Sequence, residues 1–474
     1  VSEWDSISHI TESVSSGKTK AVDLVKRSLS AIEEHKEYNA IISVIQERAI
    51  SRAKEIDQKV ERGEKVGRLA GVPFIAKDNF LTFGTETTAA SNILKGFVAP
   101  YQATAIERLE SEGAICVAKA NLDAFAHGSS TENSDLMITK NPRDIKRVPG
   151  GSSGGSAAAV VLNLAPFALG TDTGGSIRLP ASFTGSVGLK PSYGTVSRSG
   201  VVAMASSTDV IGPITNSVED ASLVLDCMAG KDELDGTTID KDANGYLVDG
   251  KNLKGIKVGI VKEYLEEGVD DQVKADILEA VKKLETKGVE VREISLPALH
   301  LSLACYYIIM PAEVSSNLSR YDGQRYGYSS VEAKNLDESY NWSRSEGFGK
   351  EAKRRIMIGT YVLSSGYYDD YYLKAMQVRT KLIKEFRKAL KDVDFLVGPT
   401  APSVAFEIGN KTTDPLEMYL ADIMTVAPSL VGVPAISIPV KSAHEMPVGM
   451  QIIGGQNLDR QLLDFAAGVS EVVK

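Results

Sequence analysis

Leu69-Ala70-Gly71-Val72-Pro73-Phe74-Ile75-Ala76 is a run of eight residues without a charge, and it ends on Lys77. It is short, apolar and punctuated by Gly and Pro, which fits a buried strand. Working outward, residues 103–113 read as a helix and residues 114–119 (AICVAK) as a second strand, a strand-helix-strand rhythm. The rhythm returns at residues 254–261, 270–286 and 289–294, and FALG (167–170), FLVGPT (395–400) and PAISIPV (434–440) read as further core strands. These segments predict an α/β fold: one large mixed β-sheet core flanked on both faces by helices.

The flanking segments fill in the organisation. Residues 19–37 carry Val22, Val25, Leu29 and Ile32 as one helical stripe, residues 41–64 read as a second helix, and 155–164 as an Ala-rich third. Ser217 and Asp220 have capping-box spacing before ASLVLDCMA. Residues 231–252 are polar and rich in Asp and Gly, as in a surface excursion, and 349–392 is helix-rich. The expected arrangement is a single domain over 1–474. It has a helical layer at about 1–65, a central core at about 66–230 and the rest of the α/β core at about 253–474.

Composition narrows the function. The chain has 474 residues, 43% hydrophobic and 24% charged, which excludes global disorder. With 53 Lys and Arg against 62 Asp and Glu, the formal charge is −9, so the net field does not draw polyanions. Cys116, Cys227 and Cys305 are far apart and show no C-x-x-C spacing. That argues against a disulfide framework or a structural zinc site, and for reduced thiols in a cytoplasm-like compartment. The longest run without a charge, residues 148–171, has the Gly/Ser composition of a loop rather than of a membrane span. The opening residues lack the pattern of an export signal.

Two glycine-serine segments stand out: Pro149-Gly150-Gly151-Ser152-Ser153-Gly154-Gly155-Ser156 and Gly170-Thr171-Asp172-Thr173-Gly174-Gly175-Ser176-Ile177-Arg178. Glycine lets a backbone approach a ligand and turn its N–H groups inward. Neither segment supplies the Lys and hydroxyl of a phosphate loop. Residues 150–154 match G-x-S-x-G, but a Ser-His-Asp triad needs a later histidine. Of the five (His9, His35, His127, His300 and His444), only His300 and His444 offer the order, and neither sits in a recognisable strand-end loop. A serine activated by a lysine fits better. Such a lysine must be neutral, and burial lowers its pKa. Lys77, at the end of its apolar run, is the candidate. From residue context alone, Lys77 is equally a strand-end lysine paired with Asp78.

Gly71-Val72-Pro73-Phe74-Ile75-Ala76-Lys77-Asp78-Asn79, the GGSSGGSA segment (150–157) and the GTDTGGSIRLPA segment (170–181) together resemble the amidase signature family. Their order, and the 24 residues between Ser152 and Ser176, match that family's Ser–cis-Ser–Lys triad. The likeness continues through Leu189–Gly194, Ala205–Asp209, Glu346–Lys350 and Lys353–Ile356. There it is closest to the branch that serves as glutaminase subunit of tRNA-dependent amidotransferases. His127 stands where the pattern has Met, and Thr184 and Ser186 also depart from it.

The resemblance implies a set of roles. Ser176 is the nucleophile on the side-chain amide of glutamine. Ser152, after a cis peptide, relays a proton to Lys77. The N–H groups of Thr173, Gly174, Gly175 and Ser176 form the oxyanion hole. Arg355, with Arg354 its rival, holds the glutamine carboxylate, Asp422, with Asp414 its rival, holds the ammonium, and Tyr306 lines the pocket. Asp172 and Arg178 pair to hold the loop. No metal or cofactor is implied in this chain; ATP and Mg belong to a partner. Subunits B and C are the implied partners, with tRNA bound mainly by B, no membrane, and a cytoplasmic or organelle-matrix location. The other reading is a stand-alone amidase acting on another small amide.

Overall fold

The computed structural model describes residues 3–266, 268–411, 415–443 and 445–473. Asp414 and His444 therefore lie outside the described residues. Among the described residues, eleven strands form one sheet: β1 (Ile41–Val44), β2 (Pro73–Lys77), β3 (Ile115–Ala120), β4 (Phe167–Asp172), β5 (Val187–Lys190), β6 (Val210–Thr215), β7 (Lys257–Val261), β8 (Glu290–Ile294), β9 (Phe395–Pro399), β10 (Ala435–Val440) and β11 (Val448–Ile453). Their order is β1-β3-β2-β4-β6-β5-β10-β11-β9-β7-β8. The sheet is mixed. β3-β2-β4 and β9-β7-β8 are parallel groups, and the remaining neighbours are antiparallel.

Side-chain alternation along a strand explains the layers. In β2, Phe74 and Ala76 enter one apolar core and Ile75 enters another. The second core is closed by the helices Ala21–Glu34, Gln46–Glu61 and Gly154–Val161. The first is closed by helices that include Val218–Met228, Asp271–Thr286, Ser302–Asn317 and Lys374–Asp392. Helices thus cover both faces, which is why β2 reads as continuously apolar.

Three readings change. Residues 41–64 are not one helix: Ile41–Val44 is the edge strand β1, bonded antiparallel to β3, and the helix begins only at Gln46. Three of those four residues are β-branched and suit a strand. Strands β5, β6 and β11 also form where no alternating pattern marks them; β6 even contains Pro213. The capping box is half made. Ser217 Oγ accepts the Asp220 N–H at 3.1 Å, but the Asp220 carboxylate accepts the N–H of Ile7 instead. Residues 231–252 hold no helix or strand, and they are tied down where Arg198 bonds Asp235 at 2.8 Å. Cys116, Cys227 and Cys305 are all free and buried. The helical stretch 297–320 has the length and composition to cross a membrane, yet 56% of its most apolar window is buried here.

Candidate active site

Neighbouring parallel strands release their loops at the same edge of a sheet, and sites gather there. β2 and β4 are such neighbours, paired from Phe74 with Phe167 to Ala76 with Leu169. Lys77 ends β2, Asp172 ends β4, and the rest of the second glycine-serine segment follows directly. The first segment feeds the helix Gly154–Val161, which packs beside both strands. The Ser153 N–H donates to the Ser176 carbonyl at 3.1 Å and joins the two segments.

Lys77 is wholly buried, and its Nζ lies 2.8 Å from Ser152 Oγ and 2.9 Å from both Ser153 Oγ and Thr171 Oγ1. Asp78 is not its partner. Asp78 bonds Lys119 at 2.7 Å and Thr88, so adjacency in the chain pointed to the wrong pair. Consecutive side chains at a strand end point to opposite sides. Burial brings the Lys77 pKa down to about 7, against the opposing pull of Asp123, Asp172 and Asp209. The same burial raises Asp123 and Asp209 to about 6. Ser153 donates its own proton to the Thr171 carbonyl at 3.2 Å, and Thr171 Oγ1 also accepts from Asn79. Of the two serines on Lys77, Ser152 is therefore the one with a proton to give.

The Gly151–Ser152 peptide is cis. No hydrogen bond links the Ser152 and Ser176 hydroxyls among the described residues. Ser176 is 8% exposed, the one member of the expected triad with any opening to solvent. The N–H groups of Gly174, Gly175 and Ser176 make no hydrogen bond within the described residues, whereas those of Ile177 and Arg178 go to Asp172. The loop is held from outside. Asp172 and Arg178 pair at 2.8 Å, fully buried, and Arg178 extends to Gln451, Thr425 and Ser429. Thr425 Oγ1 donates to the Gly174 carbonyl at 2.6 Å. A Cβ on Gly174 would lie 2.6 Å from the Tyr306 ring, and one on Gly175, at φ +149°, would lie 2.1 Å from Thr425 Oγ1. Glycine is required at both positions.

The residues expected to bind substrate form a second cluster on helices and short turns. Helix Lys350–Leu363 lies close on helix Ser302–Asn317, because a Cβ at Gly359 would sit 1.9 Å from the Pro311 carbonyl oxygen. This packing places Arg355 against Met310 and Tyr307. Arg355 is only 3% exposed, pairs with Glu351 at 2.8 Å and lies 5.5 Å from the ring centres of Tyr307 and Tyr419. Arg354 instead faces solvent and pairs with Glu351. Asp422 is buried and accepts from Ser129 at 2.6 Å and Tyr307 at 3.3 Å; burial lifts its pKa to about 7. Tyr306 packs edge-on to Tyr307.

A cavity of ≈ 250 Å³ opens among Arg355, Tyr419, Ser130, Asn133, His127 and Asp123. The sequence reading missed Tyr307, Glu351, Ser129, Asp123 and Asp209. Glu351 had a signal, its i,i+4 spacing to Arg355; the others are assembled only by tertiary contacts. Among the described residues, no group of three or more His, Cys, Asp or Glu could hold a metal ion.

This sheet and this buried lysine on a serine define an amidase, and the chain belongs to that family: the Amidase family model matches residues 23–463. Over 451 residues it is 50% identical to the A subunit of glutamyl-tRNA(Gln) amidotransferase of Carboxydothermus hydrogenoformans, covering 95% of this chain and 93% of the relative. It is 51% identical over 435 residues to the protein of the same name from Geobacillus thermodenitrificans, covering 91% and 90%. Among solved structures, the A subunit of the glutamyl-tRNA(Gln) amidotransferase from Thermotoga maritima superposes with a TM-score of 0.80 at 40% identity, covering 95% of this chain and 91% of that one. Native peptide amidase from Stenotrophomonas maltophilia does so with 0.82 at 27% identity, covering 98% and 96%.

Proposed function

We propose that the chain is the glutaminase subunit of a tRNA-dependent amidotransferase, hydrolysing glutamine to glutamate and ammonia. The observation that carries the chemistry is Lys77, buried, with a pKa near 7 and in contact with Ser152. Neutral Lys77 takes the Ser152 proton while Ser152 takes that of Ser176. Ser176 Oγ then attacks the amide carbon. The N–H groups of Thr173, Gly174, Gly175 and Ser176 receive the oxyanion, each donor contributing about 3–4 kcal/mol in the transition state. The relayed proton goes to the departing nitrogen, ammonia leaves, and water then hydrolyses the Ser176 ester to glutamate.

Arg355 binds the substrate carboxylate, Asp422 its ammonium, and Tyr306 packs between the pocket and the oxyanion loop. Two opposite charges buried side by side support an amino-acid substrate. The ammonia is used by a partner subunit that holds ATP and Mg and amidates glutamate on tRNA(Gln), or aspartate on tRNA(Asn). Subunits B and C complete the heterotrimer, B carries most of the tRNA contact, and the complex works in the cytoplasm or an organelle matrix. The names of the relatives support this assembly. A partner surface is supported by exposed Met357, Tyr361, Tyr367 and Tyr371, which lie on or just beyond the Arg355 helix.

The likeness to peptide amidase favours a second reading, a stand-alone amidase. A glutaminase assay with and without subunits B and C, beside copurification, separates the two. Glutamine turnover that rises when B and C are added supports the proposal. Indifference to both, with turnover of another amide, overturns it.

A further inference from the structure

His127 is fully buried and lines the ≈ 250 Å³ cavity beside Arg355. Its backbone is fixed, with the N–H donating to Ala124 and the carbonyl accepting from Asn133. Its ring is not: neither Nδ1 nor Nε2 has a hydrogen-bond partner among the described residues. The other polar groups of the pocket are engaged, Arg355 by Glu351 and Asp422 by Ser129 and Tyr307. Buried polar atoms without partners are rare and costly, and where they occur beside a cavity they mark what the cavity receives.

Burial and the Arg355 charge together hold the ring in its neutral form. A neutral imidazole offers one donor and one acceptor. Beside a guanidinium, the group that would use the donor is an anion held in common with Arg355. The carboxylates around the cavity, Asp123, Glu132 and Glu351, have other partners: Asp123 accepts the Thr131 and Asn133 amides, Glu132 the Gly409 amide, and Glu351 pairs with Arg355.

We propose that His127 is a specificity residue of the substrate pocket, donating a ring N–H to the same substrate carboxylate that Arg355 binds. This rests on the amino-acid reading above. It predicts a preference for substrates with a free α-carboxylate beyond what Arg355 alone provides.

The test uses the assembled enzyme and three forms of this chain: wild type, His127→Leu and His127→Gln. His127→Leu should raise KM for glutamine about tenfold, the loss of one hydrogen bond to a charged group, with kcat within about twofold. Its kcat/KM for glutaminamide, which lacks the carboxylate, should not change. His127→Gln, which restores an N–H, should return KM to within about threefold of wild type. The melting temperature of His127→Leu should be no lower than wild type, since a polar atom without a partner has been removed. A glutamine KM within about twofold of wild type in His127→Leu overturns the inference. So does an equal loss on both substrates, or a glutamine variant no better than leucine. A wild-type enzyme that does not hydrolyse glutamine overturns the amino-acid reading itself, and this inference with it.

Discussion

Replacing Lys77 with methionine should abolish turnover and, at neutral pH, make the protein more stable. Lys77 is wholly buried and titrates near 7 rather than at 10.5, its value when exposed. At pH 7 the unfolded chain therefore holds a proton that the folded chain half releases, a cost to folding of about 4–5 kcal/mol. Methionine fills similar space without that cost. It also removes the contacts to Ser152, Ser153 and Thr171, about 1 kcal/mol each. The net expectation is a gain of about 1–2 kcal/mol at pH 7. The sign of the pH dependence follows from proton binding. Between pH 7 and 10.5 the unfolded state binds more protons, so the wild type gains stability as pH rises and the variant does not. At pH 9 the cost has fallen to about 2 kcal/mol, and Lys77→Met should then be the less stable of the two by about 1 kcal/mol. Urea unfolding of both proteins at about pH 7 and pH 9 measures this crossover. A stability difference that stays constant between the two pH values means that Lys77 keeps its proton in the fold, and it removes the residue from the role of base.

Glutamine hydrolysis should rise with pH through an apparent pKa near 7, well below that of an exposed lysine, and Lys77→Arg should be almost inactive because a guanidinium keeps its proton; a pH–rate profile of kcat/KM checks both. Ser176→Ala should lose glutaminase activity while added ammonia still supports amidation in the assembled enzyme, measured as amidated tRNA. Arg355→Ala should raise KM for glutamine by one to two decades, about 1.5–3 kcal/mol, while the solvent-facing Arg354→Ala stays within about twofold. Side-by-side KM values decide the pocket assignment. Asp422→Asn should likewise raise KM with ammonia-dependent amidation unchanged, as measured with glutamine and ammonium chloride in parallel.

What could be read from the sequence follows from how local each signal was. The run into Lys77 places a lysine at a buried strand end because apolar continuity over eight residues is a local property. The fate of Asp78 is not local. Its partner Lys119 comes from the neighbouring strand, 41 residues away, and adjacency in the chain suggested Lys77 instead. The same difference separates Glu351 from Ser129. Glu351 sits one helical turn from Arg355 and could have been found by spacing. Ser129 reaches Asp422 across 293 residues, which no pattern in one sequence encodes. The edge strand β1 was absorbed into a helix because four residues, three of them β-branched, are too short a window to break a helical stripe. β6 was hidden by Pro213, which reads as a breaker although the strand is paired on both sides, with β4 and with β5.

Lys77 and the Ser176 loop hang from two adjacent strands inside the sheet, whereas Arg355, Tyr307 and Asp422 are carried by two packed helices and a short turn. The two halves meet through few fixed points, chiefly Thr425 on the Gly174 carbonyl and the Tyr306 ring against Gly174. Proton transfer is thus anchored in the stiffest layer of the molecule, and selectivity sits on elements that can be exchanged without disturbing it. For protein engineering the consequence is a grafting boundary. Segments 302–317, 350–363 and 415–422 can be swapped as a set to change which amide is admitted. The residues to keep constant at the seam are Gly174, Gly175 and Thr425.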